Sequence, residues 1–271
     1  MRKSGRLSER TIEHDLSMGK PRIEVVSDAQ ELAGRMVERF IAAAVQAAEA
    51  RGVFHTALSG GRTPELFFRR LTGDPQAKAI PWDRTHVFWV DERYVPADSP
   101  DSNYRLAGEA FLNKIRIPEG NVHRIPTEHA VMGDAVRAYE RTIREVFGLR
   151  AGQTPEFDLI VLGMGSDGHT ASLFPNSPVK CDANDLACVA CAGVGVKPQV
   201  YRITLTPSVL LAARNLVVLV SGQDKARTLR EVFAGESDET RYPIRMLWPV
   251  LDRVIWLVDR DAASEIDTNS D

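Results

Sequence analysis

The feature that most constrains the fold is a recurring pattern. Short apolar runs rich in Val, Ile and aromatic residues alternate with amphipathic stretches. The runs are Ile23–Val26, Val53–Leu58, His86–Val90, Phe157–Leu162, Val200–Leu205, Asn215–Val220 and Arg253–Val258. Most are apolar throughout rather than in alternation, and Gly, Pro, Asp or Ser bounds them. Such runs suit strands buried on both faces of a parallel sheet. Between them lie helical patterns. Ser27 and Gln30 form a capping box that opens a long Ala-rich run to about Ala50. Thr63 is placed to cap a helix with Pro64 in its first turn. The stretch Asp134–Gly148 puts Val136, Tyr139, Ile143 and Phe147 on one face and stops at glycine, and Asp224–Gly235 ends the same way. Strands alternating with helices predict a layered α/β domain with a mostly parallel sheet.

A chain of 271 residues can bury a sizeable core, and 44% hydrophobic with 26% charged residues is ordinary for a globular protein. No repeat or low-complexity linker divides it, so one domain over 21–262 is expected. Residues 1–20 read as a flexible polar tail, in which Met18 is an alternative start, and 263–271 as a disordered tail. A net charge of −3 gives no footprint for nucleic acid, and no apolar run reaches the length of a membrane span. The N-terminus lacks the apolar stretch of a signal peptide, and the three cysteines, Cys181, Cys188 and Cys191, are an odd count. Both point to the cytoplasm and away from a disulfide scaffold. Cys188-x-x-Cys191 supplies only half of a zinc site, so no metal is expected.

In open α/β sheets, ligands lie outside the carboxyl ends of the strands. The segments following the runs are SGGRTP (59–64), DERYVP (91–96), GMGSDGHT (163–170), TLTPS (204–208) and SGQDKA (221–226). Ser59, Gly60, Gly61 and Arg62 combine a glycine pair with a helix start, where free N–H groups attract phosphate. A plain tight turn would look the same. Asp91, Glu92 and Arg93 follow a buried strand; they form either a surface ion pair or a site rim that meets an anionic oxygen. Gly163, Gly165 and Gly168 match a dinucleotide-binding spacing. That reading fails, because Pro175 stops the helix signal and no strand end carries the required acid. The glycines instead make a sharp turn that projects Asp167 and His169, and a histidine held this way can act as a base near neutral pH. Arg202, inside an apolar run, needs an anionic partner. Lys225 is either a solvated lysine or, with Arg202 and the Ser59–Gly61 loop, part of a phosphate pocket.

Taken together, ALSGGRTPELFFRRL, VFWVDERYVPADSPDSNYRLAGEAFL, FDLIVLGMGSDGHTASLFP and YRITLTPSVLLAARNLVVLVSGQDKA resemble the 6-phosphogluconolactonases, within the group that includes the glucosamine-6-phosphate deaminases. The motifs occur in order from about Ile23 to Val258. The resemblance implies a Rossmann-like fold, a mostly parallel sheet with helices on both faces, and no nucleotide or metal cofactor. It implies hydrolysis of 6-phospho-D-glucono-1,5-lactone to 6-phosphogluconate, a step of the oxidative pentose phosphate pathway, by a monomer or weak homodimer. The catalytic histidine falls on His169, with Asp167 beside it, and the arginine of the acidic motif falls on Arg93. Phosphate contacts fall on Ser59, Gly60, Gly61, Arg62, Arg202 and Lys225, and Asp91, Glu92 and Gly165 are further pocket candidates. Two departures separate the chain from the deaminases: Phe174 stands where they have a glutamate, and Arg93 where they tend to have tyrosine. The cysteine-bearing segment 181–191 matches nothing in the family pattern. The remaining alternatives are a deaminase, a non-catalytic sugar-phosphate sensor without room for a helix-turn-helix, and a CoA- or nucleotide-binding protein, disfavoured by the failed fingerprint.

Overall fold

The structure, a computed structural model, describes residues 20–177, 179, 181–193, 195–234 and 238–266. Of the tails expected at 1–20 and 263–271, residues 1–19 and 267–271 lie outside these residues. Ala263 is buried and Ile266 packs against the core, so order extends to at least 266.

The chain opens with β1 (Arg22–Val26), α1 (Ala29–Arg51), β2 (Phe54–Leu58), α2 (Arg62–Gly73), β3 (Thr85–Trp89), β4 (Asp91–Arg93), α3 (Asn103–Ala110) and β5 (Val122–His123). It continues with α4 (Met132–Phe147), β6 (Leu159–Gly163), β7 (Ala187–Cys191), β8 (Tyr201–Leu205), α5 (Pro207–Ala212), β9 (Leu216–Val220), α6 (Ala226–Ala234), β10 (Val254–Asp259) and α7 (Arg260–Ala263). The main sheet is parallel throughout, in the order β1-β10-β9-β6-β2-β3-β5. A second, antiparallel sheet has the order β4-β8-β7. Burial on both faces explains the unbroken apolar runs: every residue of β9 is buried. Trp89, Trp256, Phe40, Phe54 and Tyr139 fill the core. The Tyr139 hydroxyl donates to the Trp89 carbonyl (2.7 Å) and accepts from the Trp89 N–H (3.1 Å), so the buried phenol is satisfied.

Several local expectations shift. The cap of α1 lies one residue later than Ser27. Asp28, in extended backbone, accepts from the N–H groups of Gln30 and Glu31, and Glu31 reaches back to the Ser27 N–H (2.7 Å). Helix α2 starts at Arg62, not after Thr63, because Gly61 turns the chain at φ 103° and no side chain caps the helix. The run 200–205 does form a strand, but it belongs to the second sheet. Its neighbours there are a three-residue strand and ACVAC, which is too short in apolar bulk to read as a strand. β7 therefore lies between the runs Phe157–Leu162 and Val200–Leu205, where the sequence offered no apolar run. On that strand Cys188 is buried and Cys191 exposed; an offset of three residues places them on opposite faces, so they do not converge on one ion. Among the described residues no helix is long and apolar enough to cross a membrane.

Candidate active site

From β2 the chain steps to β3 and β5 on one side; it then returns to β6 on the other side and continues to β9 and β10. The order therefore reverses between β2 and β6, and in open α/β sheets a crevice forms at such a switch. A cavity of about 390 Å³ opens there. Ser59, Gly60, Gly61 and Arg62 reach it from the end of β2 and the start of α2. Asp91 and Arg93 reach it from β4, Gly165 and His169 from the turn after β6, and Lys225 from the segment after β9. Arg202 enters from β8, not from a strand end, and the expected TLTPS end does not line this cavity.

At two glycines in these turns, functional side chains occupy the space a Cβ would take. A Cβ on Gly60 would lie 1.8 Å from Asn103 Oδ1, and one on Gly165 would lie 2.1 Å from His169 Nδ1. The free N–H groups at the uncapped start of α2, on the positive end of the helix, form an anion-binding feature on the cavity wall.

The cations are arranged for a ligand rather than for one another. Arg93 and Arg202 are register partners across β4 and β8, so their side chains stand on one face. Arg202 is 3% exposed, and its Nε and Nη2 have no hydrogen-bond partner; its nearest carboxylate, Asp91, is 4.0 Å away. Asp91 is itself occupied by the Ser172 hydroxyl, which donates to it at 2.6 Å. Burial, with the charge of Arg93, lowers the Arg202 pKa against the pull of Asp91. The Arg93 Nη1 donates to the Asp101 carbonyl (2.8 Å), and its Nε is unpartnered. Two neighbouring guanidinium groups with unpartnered nitrogens in one cavity can each meet an anionic or polarised oxygen of a ligand. Lys225 Nζ lies 3.1 Å from Asp224 on the same rim.

Asp167 does not line the cavity but supports a residue that does. Its Oδ1 lies 2.5 Å from His169 Nδ1 and accepts the His169 backbone N–H at 3.1 Å. Burial works to raise the Asp167 pKa, but the hydrogen bonds and charge of His169 outweigh it, and the net shift is down. The carboxylate therefore stays ionised at neutral pH and fixes the ring with Nε2 free. Phe174 does not line the cavity but packs against two residues that do: its ring centre is 4.7 Å from that of His169 and 5.3 Å from the Arg202 guanidinium.

Glu92 departs from the sequence expectation. It is 2% exposed and does not line the cavity. It accepts from the N–H groups of Arg93, Asn103 and Tyr104 and from the Ser102 hydroxyl, so it anchors the start of α3. Burial raises its pKa against these bonds. The structure adds Asn103, Ser221 and Asp224 to the cavity wall; the last two lie in the SGQDKA strand end but were not singled out there, and Asn103 was missed from the sequence. Ser102 caps α3, its hydroxyl accepting the Arg105 N–H, and this places Asn103 in the first turn of that helix.

Fold and cavity together define a class: a parallel α/β protein with a cationic, glycine-rimmed cleft at its strand ends, facing a carboxylate–histidine pair. The comparisons narrow it. The family model for glucosamine-6-phosphate isomerases/6-phosphogluconolactonase matches residues 27–256, and the chain belongs to that family. A 6-phosphogluconolactonase of Synechocystis sp. is 39% identical over 91% of this chain and 98% of its own. The 6-phosphogluconolactonase structure from Thermotoga maritima matches with a TM-score of 0.74 at 31% identity, covering 89% of this chain and 100% of that one. The one from Trypanosoma cruzi matches with 0.80 at 29% identity, covering 93% and 99%.

Proposed function

We propose that this protein is a 6-phosphogluconolactonase, which hydrolyses 6-phospho-D-glucono-1,5-lactone to 6-phosphogluconate in the pentose phosphate pathway. The observation that carries the reading is the convergence, in one cavity, of the Asp167-supported His169 with the free donors of Arg93 and Arg202. The phosphate binds at the Ser59–Gly61 turn, the start of α2 with Arg62, Arg202 and Lys225. It lies away from the reacting carbon, so its binding energy positions the ring. His169 Nε2 takes a proton from water as the oxygen attacks the lactone carbonyl, and Asp167 stabilises the imidazolium. The imidazolium then protonates the ring oxygen as the C–O bond breaks. Arg93 stabilises the negative charge on the carbonyl oxygen, a contribution of about 3 kcal/mol per donor. The apolar ring of Phe174 against His169 leaves no acid there to assist ring opening of an amino sugar, which favours the lactonase over the deaminase reading.

The test is the appearance of 6-phosphogluconate from fresh lactone, coupled to a dehydrogenase, with spontaneous hydrolysis subtracted. Glucono-1,5-lactone without phosphate is the comparison substrate. Catalysis above the spontaneous rate with a strong preference for the phosphorylated lactone is expected. Equal turnover of both removes the phosphate pocket, and no turnover of either removes the hydrolase.

A further inference from the structure

Five buried side-chain atoms on cavity-lining residues have no hydrogen-bond partner: Ser59 Oγ, Arg93 Nε, Arg202 Nε and Nη2, and Asn103 Oδ1. The arginine nitrogens are donors, and the serine hydroxyl can donate. Asn103 Oδ1 is the pure acceptor among them. A phosphate is itself rich in acceptors and satisfies the donors; it leaves Asn103 unmatched. Asn103 is 2% exposed and held from two sides. Its N–H donates to Glu92 (2.7 Å), and its Nδ2 donates to the Asp91 carbonyl (2.9 Å), which fixes which amide atom is oxygen. That oxygen occupies the space a side chain at position 60 would take, directly against the phosphate-binding turn.

We infer that Asn103 is a specificity-determining residue, whose side-chain oxygen accepts the proton of the sugar hydroxyl beside the phosphate arm, the one on C4 of the lactone. The inference rests on the lactonase reading above. A buried acceptor left empty by a substrate lacking its hydroxyl is costly, which turns one amide into a selector.

The experiment compares fresh 6-phosphoglucono-1,5-lactone with its 4-deoxy and 2-deoxy analogues on the parent protein, Asn103→Ala and Asn103→Asp. The parent is expected to lose about 10- to 100-fold in kcat/KM on the 4-deoxy substrate. That ratio collapses toward one in Asn103→Ala and survives in Asn103→Asp, which keeps an acceptor while its charge raises KM. The 2-deoxy ratio does not follow the substitution. Each ratio compares two substrates on one variant, so a reduced folded fraction cancels. Should Asn103→Ala fail to fold, Gly60→Ala displaces the same oxygen and is expected to collapse the same ratio. A parent ratio near one, or an unchanged 4-deoxy ratio in Asn103→Ala, overturns the assignment. Absence of turnover in the parent counts against the hydrolase instead. The Asn103 ratio is then read as affinity for 6-phosphogluconate against its 4-deoxy form by calorimetry, with the same two outcomes deciding it.

Discussion

Two regions of the main sheet use histidine in opposite ways. At the carboxyl end, His169 stands on a glycine turn with a carboxylate at 2.5 Å and one edge toward the cavity. At the amino end, His55 on β2, His86 on β3 and His123 on β5 form a row. His55 stacks on Phe147 at 4.2 Å between ring centres, and His86 Nδ1 lies 2.9 Å from His123 Nε2. No carboxylate is hydrogen-bonded to these rings among the described residues. Burial, then the neighbouring His86 and Arg51, hold His55 down at about 4; burial with His86 and His55 does the same for His123, and burial lowers His86. The lesson is that a half-buried histidine without an anionic partner becomes a neutral packing ring. Proton chemistry needs the partner and an open face together.

The largest effect that could break this contrast is at His169. His169→Ala is expected to lower kcat by about 10²–10⁴-fold with little change in affinity for phosphorylated product. Near-normal turnover would remove His169 as the base. Gly165→Ala tests the support rather than the base. The new Cβ must displace the His169 ring or the Asp167 carboxylate, 2.1 and 2.5 Å away, and a loss in kcat of about 10²-fold is expected with the fold retained. Arg202→Ala is expected to cost about 10- to 100-fold in kcat/KM on the phosphorylated lactone and little on the unphosphorylated one. An equal loss on both would move Arg202 from phosphate binding to a structural role.

The smallest effect sharpens the other end. An unfolded histidine titrates near 6.5, and folded His55 near 4, so between these values the unfolded chain binds the extra proton. Stability therefore falls as pH drops from about 6.5 to 4, by up to about 3 kcal/mol for such a site. His55→Phe keeps the backbone N–H bond to Asp158 and removes the titrating ring. It is expected to flatten the fall in melting temperature across that range and leave kcat at pH 7 unchanged. A parent melting temperature independent of pH over that range would refute the neutral-ring reading.

Legibility in the sequence followed the range of the forces involved. Runs buried on both faces announced the parallel strands, and Gly148 stopped α4 where a left-handed residue was needed, at φ 63°. Gly163–Thr170 was readable because its glycines and its Asp-x-His spacing are local. Glu92 was misplaced among the pocket residues. Its burial and its bonds to residues 102–104 depend on how α3 folds back over β4, which no local pattern encodes. Asn103 was missed for the same reason, since its amide matters only beside Gly60, 43 residues away in the chain.

Taken alone, the sequence determined the alternation of elements, the glycine turn at 59–61 that opens a helix and the histidine raised on its glycine turn, because backbone conformation and burial period are written residue by residue. Tertiary structure decided that Val200–Leu205 leaves the parallel sheet and runs antiparallel beside Asp91–Arg93. That pairing sets two guanidinium groups side by side with donors unmet. Strand partnership is a choice between segments distant in the chain, settled by which faces can be buried together, so it exists only once the whole domain has packed.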